Sequence, residues 1–247
     1  LVIADDRCLW CGGRNLAGEY FLGDATGRVW LDLSFDLQGP VAAAAGHQFD
    51  LDWNTTHLRT EIRVRESAAV EAGTLAQFLP SGPDQVEDTA QSLLIDGCYR
   101  ARRRLLIVTP YFVPDDSLRV AMRLAARRGV KVTIVLPRRS NHLLADFVRS
   151  RPMRDLAAAG VEFRLLPVMI HAKAVVIDET LALCGSINLD LRSSVIHGLV
   201  PSSGARKSMT EFLELIYVED RESLQQTLSD ASEGGFRDHV RGAAFLA

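Results

Sequence analysis

The sequence predicts an α/β protein of two related lobes, each a mixed β-sheet flanked by helices, with the first lobe truncated. Three observations predict it. From about residue 84 to residue 184, short runs rich in Val, Ile and Leu alternate with longer amphipathic stretches, the pattern of strands separated by helices. Chain breakers concentrate at Leu79-Pro-Ser-Gly-Pro83, which divides the sequence into lobes 1–82 and 83–247. One pattern also occurs twice. Asp178 is followed by six residues and then Gly185-Ser186-Ile187-Asn188; Asp5 is followed by six residues and then Gly12-Gly13-Arg14-Asn15. Aligning Asp5 on Asp178 sets Gly13 on Ser186 and Asn15 on Asn188, and an internal repeat of this kind implies two lobes packed around a shared site.

The elements follow in order. Residues 2–4 and 8–11 read as short strands turned at Gly12-Gly13, and a helix is expected from residue 41 to about 53. Residues 60–65 alternate polar and apolar, a half-exposed strand. Asp84 caps a helix with Glu87 as its capping-box partner, and Val86, Ala90, Leu93, Leu94 and Cys98 form the buried stripe. Residues 105–108 are a buried strand. Asp115 or Asp116 caps the next helix and Gly129 ends it. A second buried strand covers 130–136, and a helix over about 143–159 is closed by Gly160. Strands at 161–165, 174–177 and 181–184 surround the second copy of the repeated pattern. A last strand at 213–218 and a last helix at 221–228 precede a Gly-rich tail.

Composition narrows the function. A chain of 247 residues with 47% hydrophobic content buries one sizeable core or two modest ones. A net charge of −3 leaves no global basic footprint for nucleic acid. Local basic clusters occur at Arg100 with Arg102-Arg103-Arg104, at Arg127-Arg128 and at Arg138-Arg139; solvated helix ends and strand flanks explain them before headgroup binding does. No apolar run reaches the roughly 18 residues of a membrane span. Of the four cysteines, Cys8 and Cys11 have C-x2-C spacing, but no second ligand pair accompanies them, so core packing is expected rather than a metal. Few cysteines and no disulfide framework fit a reducing compartment.

Chemistry concentrates in His171-Ala-Lys173, Asp178 and Gly185-Ser186-Ile187-Asn188. Side chains alternate along an extended chain, so His171 and Lys173 point to one face. An imidazole beside a fixed cation suits attack on a phosphodiester, with the histidine as nucleophile and the lysine holding phosphoryl oxygens. Gly185 lets the backbone turn closely past a ligand, and Ser186 and Asn188 can hydrogen-bond phosphate at an expected helix start.

This segment resembles the signature of the phospholipase D superfamily, and the surrounding chain resembles its cardiolipin synthase branch. The resembling stretches are Thr109-Pro-Tyr-Phe-Val-Pro-Asp115, Arg128-Gly-Val-Lys-Val-Thr-Ile-Val-Leu-Pro137, Ser140-Asn-His142 and Asn188-Leu-Asp190-Leu-Arg192-Ser193. Trp30-Leu31-Asp32 and Gln38-Gly39-Pro40 look like the family's lead-in to a helix. The resemblance implies a phospholipase D-like two-lobe architecture and a phosphatidyltransferase that makes cardiolipin from two phosphatidylglycerol molecules through a phosphohistidine. A hydrolytic or transphosphatidylating phospholipase D and a non-catalytic lipid-binding remnant are the alternatives. The implied partners are phosphatidylglycerol and a membrane surface at the cytosolic side of a bacterial cytoplasmic membrane. No nucleic acid, cofactor or metal is implied, because a histidine nucleophile and lysine cations stand in for the metal.

By the same resemblance, His171, Lys173, Asp178 and Glu211 are catalytic, with Asp178 orienting a histidine or completing the charge network. Glu211 would hold the histidine of the other motif. Ser186, Asn188, Gly13 and Asn15 would line the phosphate pocket, and Asp5 is the remnant of the first motif; His142 reads as a helix cap before a headgroup contact, and Tyr111 as either a pocket edge or a core residue. The family chemistry resembles a two-histidine mechanism, and the histidine matching His171 would lie seven residues before Asp5, upstream of Leu1. The chain is therefore expected to be a fragment that lacks the first His-x-Lys and is inactive by itself. Between Arg192 and Glu211 it carries about twelve residues more than the family pattern. Either a lid beside the site or a gene-model artefact accounts for them.

Overall fold

The computed structural model describes residues 1–56, 76–80, 89–186 and 188–190. The first lobe holds β1 (Val2–Ala4), β2 (Cys8–Gly12), a 3-10 turn at Gly18–Tyr20, β3 (Ser34–Gln38) and α1 (Pro40–Thr56). Its strands form an antiparallel sheet in the order β1-β2-β3. The second lobe begins with α2 (Thr89–Arg100), β4 (Arg104–Val108), β5 (Phe112–Val113), α3 (Asp116–Arg127) and β6 (Lys131–Pro137). It continues with α4 (Leu143–Val148), α5 (Ser150–Ala157), β7 (Glu162–Leu166), β8 (Ala174–Ile177), β9 (Leu181–Cys184) and β10 (Leu189–Asp190).

The second lobe carries a mixed five-stranded sheet in the order β7-β6-β4-β8-β9. Strands β4, β6 and β7 run parallel, as crossover helices require, and β8 and β9 run antiparallel as a hairpin. Period-2 alternation sorts its two faces. Leu105, Ile107, Val132, Ile134, Val175 and Ile177 pack against α2, α3 and α5 in one core. Val108, Val135, Ala174, Val176 and Ala182 form the other, and there they meet Val41, Ala42 and Ala45 of α1 and Leu9 and Cys11 of β2. The second face of the sheet is thus covered by the first lobe. Alanines on both sides let helix and sheet approach closely.

The repeat is visible in the backbone. Around Asp5 the pairing starts at Ala4↔Cys8, and around Asp178 at Ile177↔Leu181, the same spacing, although the first turn has a second left-handed residue at Asp6. Both turn aspartates are left-handed, with φ 53° and 51°. Aspartate tolerates that region better than most residues.

The stripe expected on the first helix of the second lobe is buried at Ala90, Leu94 and Cys98, with Leu93 partly so. Burial pushes the Cys98 thiol up to about 12. Asp115 is the N-cap of α3, accepting from the Leu118 N–H at 2.8 Å, and Gly129 ends it at φ 88°. The single helix expected over 143–159 is two helices. Pro152 has no N–H to donate to Val148, so the helix breaks between Val148 and Ser150. The buried Arg149 guanidinium at the break donates to the carbonyls of Pro137 and Arg138 at 2.9 and 2.6 Å. Burial lowers the Arg149 pKa, and the nearby Asp146 carboxylate opposes that shift. The cysteine expectation holds for half the pair. Cys11 is buried and its thiol is pushed up to about 11 by desolvation, whereas Cys8, three positions back on a strand and so on the other face, is exposed. The strand expected at 60–65, the cap at Asp84, the last strand at 213–218 and the last helix at 221–228 lie outside the described residues.

Candidate active site

His171 and Lys173 sit on the extended lead-in to β8 rather than within it. Two bonds and one bridge hold that lead-in against the first lobe. The His171 N–H donates to the Leu31 carbonyl at 2.6 Å, the Leu31 N–H donates to the Met169 carbonyl at 2.9 Å, and Leu31 pairs parallel with Ile170. This lateral pairing sets Asp32 beside His171.

Asp32 Oδ2 lies 2.8 Å from His171 Nδ1. The Asp32 side chain is fully buried, and its Oδ1 accepts the Leu33 N–H at 2.6 Å. A buried carboxylate there holds the ring proton on Nδ1 and leaves Nε2 as the acceptor nitrogen. The Lys173 ammonium is also buried. It donates to the His171 carbonyl at 2.5 Å and stands 3.0 Å from Nε2 and 2.6 Å from Nδ1. With Nδ1–H turned to Asp32, the lysine donor on the ring belongs to Nε2. The alternation expected of His171 and Lys173 is realised as direct contact.

Aromatic rings enclose the imidazole. Tyr20 and Trp30 lie 5.2 and 5.9 Å from it by ring centroids, and Tyr111 lies 6.4 Å away. Tyr20 Oη is 3.0 Å from Nδ1 and accepts from Asn15 Nδ2 at 3.3 Å. Burial raises the Tyr20 pKa well above that of an ordinary phenol, with the Asp32 charge as the next cause, so the hydroxyl stays protonated. Tyr111 donates to Asn141 Oδ1 at 2.5 Å and packs edge-on against His142 at 5.0 Å.

Gly13 is at the site for a steric reason. A Cβ there would stand 2.5 Å from Asp32 Oδ1 and 3.0 Å from the His171 carbonyl. Gly13→Ser, which would copy the Gly-Ser of the second pattern, is expected to push Asp32 off the imidazole. Turnover should fall at least about tenfold, with a stability loss of about 1–3 kcal/mol by thermal melting. A variant with native activity would show that the Asp32 carboxylate has room to give way.

Asn15 thus reaches the site through Tyr20. Ser186 is exposed just past β9, and Gly185 donates its N–H to the Lys173 carbonyl at 3.2 Å. Asn188 is half-buried, and its Oδ1 is buried without a hydrogen bond among the described residues. The helix expected to start at these residues is instead β10, which pairs parallel with β5.

Asp178 is not brought to His171. It occupies the far end of β8, where its carboxylate accepts the backbone N–H groups of Arg102, Arg103 and Arg104 at 3.0, 2.7 and 3.0 Å. Partial burial pushes its carboxyl up, but the three N–H donors and the Arg103 charge outweigh that and hold it below the usual carboxylate range. The folded value is the depressed one. The stabilisation is therefore present above the ordinary aspartate pKa of about 3.9 and is lost as pH falls through the folded value. Asp178→Ala is expected to cost about 1–3 kcal/mol and to weaken the acid sensitivity of melting, with the His171 contacts intact. Large activity loss at unchanged stability would return Asp178 to a catalytic role. Asp5 occupies the equivalent turn of the first hairpin, and Glu211 lies outside the described residues.

Asp32 and Tyr20 are the partners of His171 that sequence reasoning missed. One signal was present: a carboxylate follows Asp178 by 33 residues at Glu211, and another follows Asp5 by 27 at Asp32. The cross-lobe argument that selects Glu211 for the other histidine selects Asp32 for His171.

Residues 94–198 match the family described as cardiolipin synthase, PLD-like domain. The chain belongs to the phospholipase D superfamily. This phospholipase D-like chain is 31% identical over 235 residues to cardiolipin synthase A of Pseudomonas putida (strain W619), covering 94% of the chain and 49% of that protein. It is 34% identical over 200 residues to cardiolipin synthase A of Cronobacter sakazakii (strain ATCC BAA-894), covering 78% and 41%. The chain spans about half the length of the curated relatives it matches, or less. The crystal structure of phosphatidylserine synthase from Haemophilus influenzae Rd KW20 superposes with a TM-score of 0.62 at 13% identity, over 93% of this chain and 66% of that one. That likeness concerns the fold alone.

Proposed function

We propose that this phospholipase D-like site belongs to a phosphatidyltransferase that makes cardiolipin from two phosphatidylglycerol molecules. The observation that carries the proposal is the buried Asp32–His171–Lys173 arrangement. Nε2 is the nucleophile, released when an entering phosphodiester oxygen takes over the Lys173 cation. In the first step Nε2 bonds to phosphorus, the bond to the glycerol headgroup breaks, and glycerol leaves with a proton from an acid. In the second step the headgroup hydroxyl of another phosphatidylglycerol loses its proton to the same group, attacks the phosphohistidine and regenerates His171. By the repeat, that acid–base group is the histidine of the other half-pattern, from a longer polypeptide containing this chain or from a second copy.

Ser186 and Asn188 are the proposed phosphate ligands, with Gly13 as the clearance that lets Asp32 reach the ring. Asn15 positions Tyr20. Glu211 is proposed to hold the second histidine as Asp32 holds the first. The proposed setting is the cytosolic side of a bacterial cytoplasmic membrane; no helix among the described residues is long and apolar enough to cross one.

The test is to incubate the longest open reading frame containing this chain, and the 247-residue chain beside it, with phosphatidylglycerol vesicles in EDTA, and to identify products by mass spectrometry. Cardiolipin and free glycerol from the former, with none from the latter, are expected. Phosphatidic acid would reassign the site to hydrolysis, and no lipid product would remove the lipid reading.

A further inference from the structure

Helix α4 has no buried residue. Leu143 is 83% exposed, Leu144 and Phe147 are 75% exposed, and Val148 is 42% exposed. Single exposed leucines are ordinary on a protein surface, but four large apolar side chains on one six-residue helix make a patch.

The polar surroundings of that patch are one-sided. From Arg138 to Arg151 the chain has four arginines and one aspartate, although the whole chain has a net charge of −3. The aspartate, Asp146, is turned inward, 3.0 Å from Arg149 and accepting the Ser140 N–H at 2.8 Å. Arg149 is buried and ties the helix to the end of β6. Arg139 and Arg151 remain exposed on either side of the apolar residues. An apolar tip between exposed cations matches the boundary of an anionic bilayer, where acyl chains take the apolar side chains and headgroups take the charges.

The patch also connects to the site through two ring contacts. His142, which precedes α4, packs on Tyr111, and Tyr111 faces His171. Tyr20, which also packs on the imidazole, is bracketed in sequence by Leu16 and Leu22, which are 87% and 86% exposed. Arg14 lies over the Phe21 ring of the same segment, 5.6 Å from its centroid. Exposed apolar residues therefore adjoin, along the chain, rings that pack on the histidine from each lobe.

We propose that α4, together with the exposed Leu16 and Leu22, docks the protein onto an anionic phospholipid bilayer and presents His171 to headgroups at that surface. The proposal rests on the lipid-substrate reading and adds the surface through which the substrate arrives. Docking is independent of the chemistry, so the two can fail separately.

The experiment uses the longest open reading frame containing this chain, with vesicles of phosphatidylcholine alone or mixed with phosphatidylglycerol. A Phe147→Trp reporter is read as a difference spectrum against the parent protein. Its emission is expected to shift to the blue and to be quenched by brominated acyl chains on the mixed vesicles, and far less on neutral ones. Leu144→Glu combined with Phe147→Glu is expected to weaken co-sedimentation at least tenfold with melting unchanged, since both sites are exposed. Arg139→Gln should weaken it about severalfold and lessen its salt dependence. Vesicle binding with no change in the reporter would overturn the proposal, as would loss of a concentration-dependent dimer in the double variant, which would make a second copy the occupant. Turnover of monomeric short-chain phosphatidylglycerol without docking would overturn the docking surface alone. Docking without any turnover would overturn the phosphatidyltransferase reading and leave the surface standing.

Discussion

His171→Gln, made in the longest open reading frame containing this chain, is expected to abolish the proposed phosphatidyl transfer, a loss on the order of 10⁴–10⁶-fold, with secondary structure and melting nearly unchanged. The reasoning is chemical. His171 is the ring whose Nε2 is left unprotonated, because Nδ1 faces the Asp32 carboxylate at 2.8 Å. Glutamine keeps a polar side chain at that place, but its amide nitrogen lone pair is delocalised into the carbonyl and cannot form a covalent phosphoryl intermediate. Losing the nucleophile removes the whole covalent route, a loss about as large as removing every group that acts with it. Rates come from product mass spectrometry, and an acid-labile phosphatidyl adduct on the peptide containing His171 should disappear in the variant. Residual turnover within about tenfold of the parent protein would remove His171 as nucleophile.

Asp32→Asn is expected to lower turnover by about 10³–10⁴-fold with little change in KM. Asparagine fits the space, but its amide can donate to Nδ1. It then stabilises the tautomer with the proton on Nε2, the form that cannot attack. Asp32→Ala should be as slow and less stable, because the Leu33 N–H and the imidazole both lose their acceptor. Asp32→Glu should recover part of the rate if the longer side chain keeps the carboxylate in reach. A merely structural aspartate would predict the reverse ordering, with melting tracking activity and Asn close to native. Tyr20→Phe makes a milder comparison, since it removes one contact to Nδ1 and leaves Asp32 in place.

Much of the fold could be read from local pattern. The strands at 105–108, 174–177 and 181–184 carry their own period-2 or continuous apolar code, and the α3 cap needs only Asp115 and the residues after it. Strand β3, Ser34–Gln38, was not legible, because its pairing with β2 is what makes it a strand. The short pair β5 and β10 joins segments about 77 residues apart, and no window of sequence contains both. The break between α4 and α5 was legible in Pro152, but the helical pattern on either side outweighed it in reading the sequence.

The site divides in the same way. His171 and Lys173 are two residues apart and each Gly-x-x-Asn pattern is four residues long, so the sequence by itself singled out these candidates and carried the family resemblance. The turn role of Asp178 and the role of Asp32 were decided by tertiary structure. Asp178 is seven residues from His171 but points its carboxylate at backbone N–H groups more than seventy residues earlier in the chain. Asp32 is 139 residues from His171 and touches it. Hydrogen bonds are short-ranged in space and indifferent to separation along the chain. The parallel pairing of Leu31 with Ile170 and the shared alanine-lined core of the two lobes are what turn a distant aspartate into the partner of the histidine.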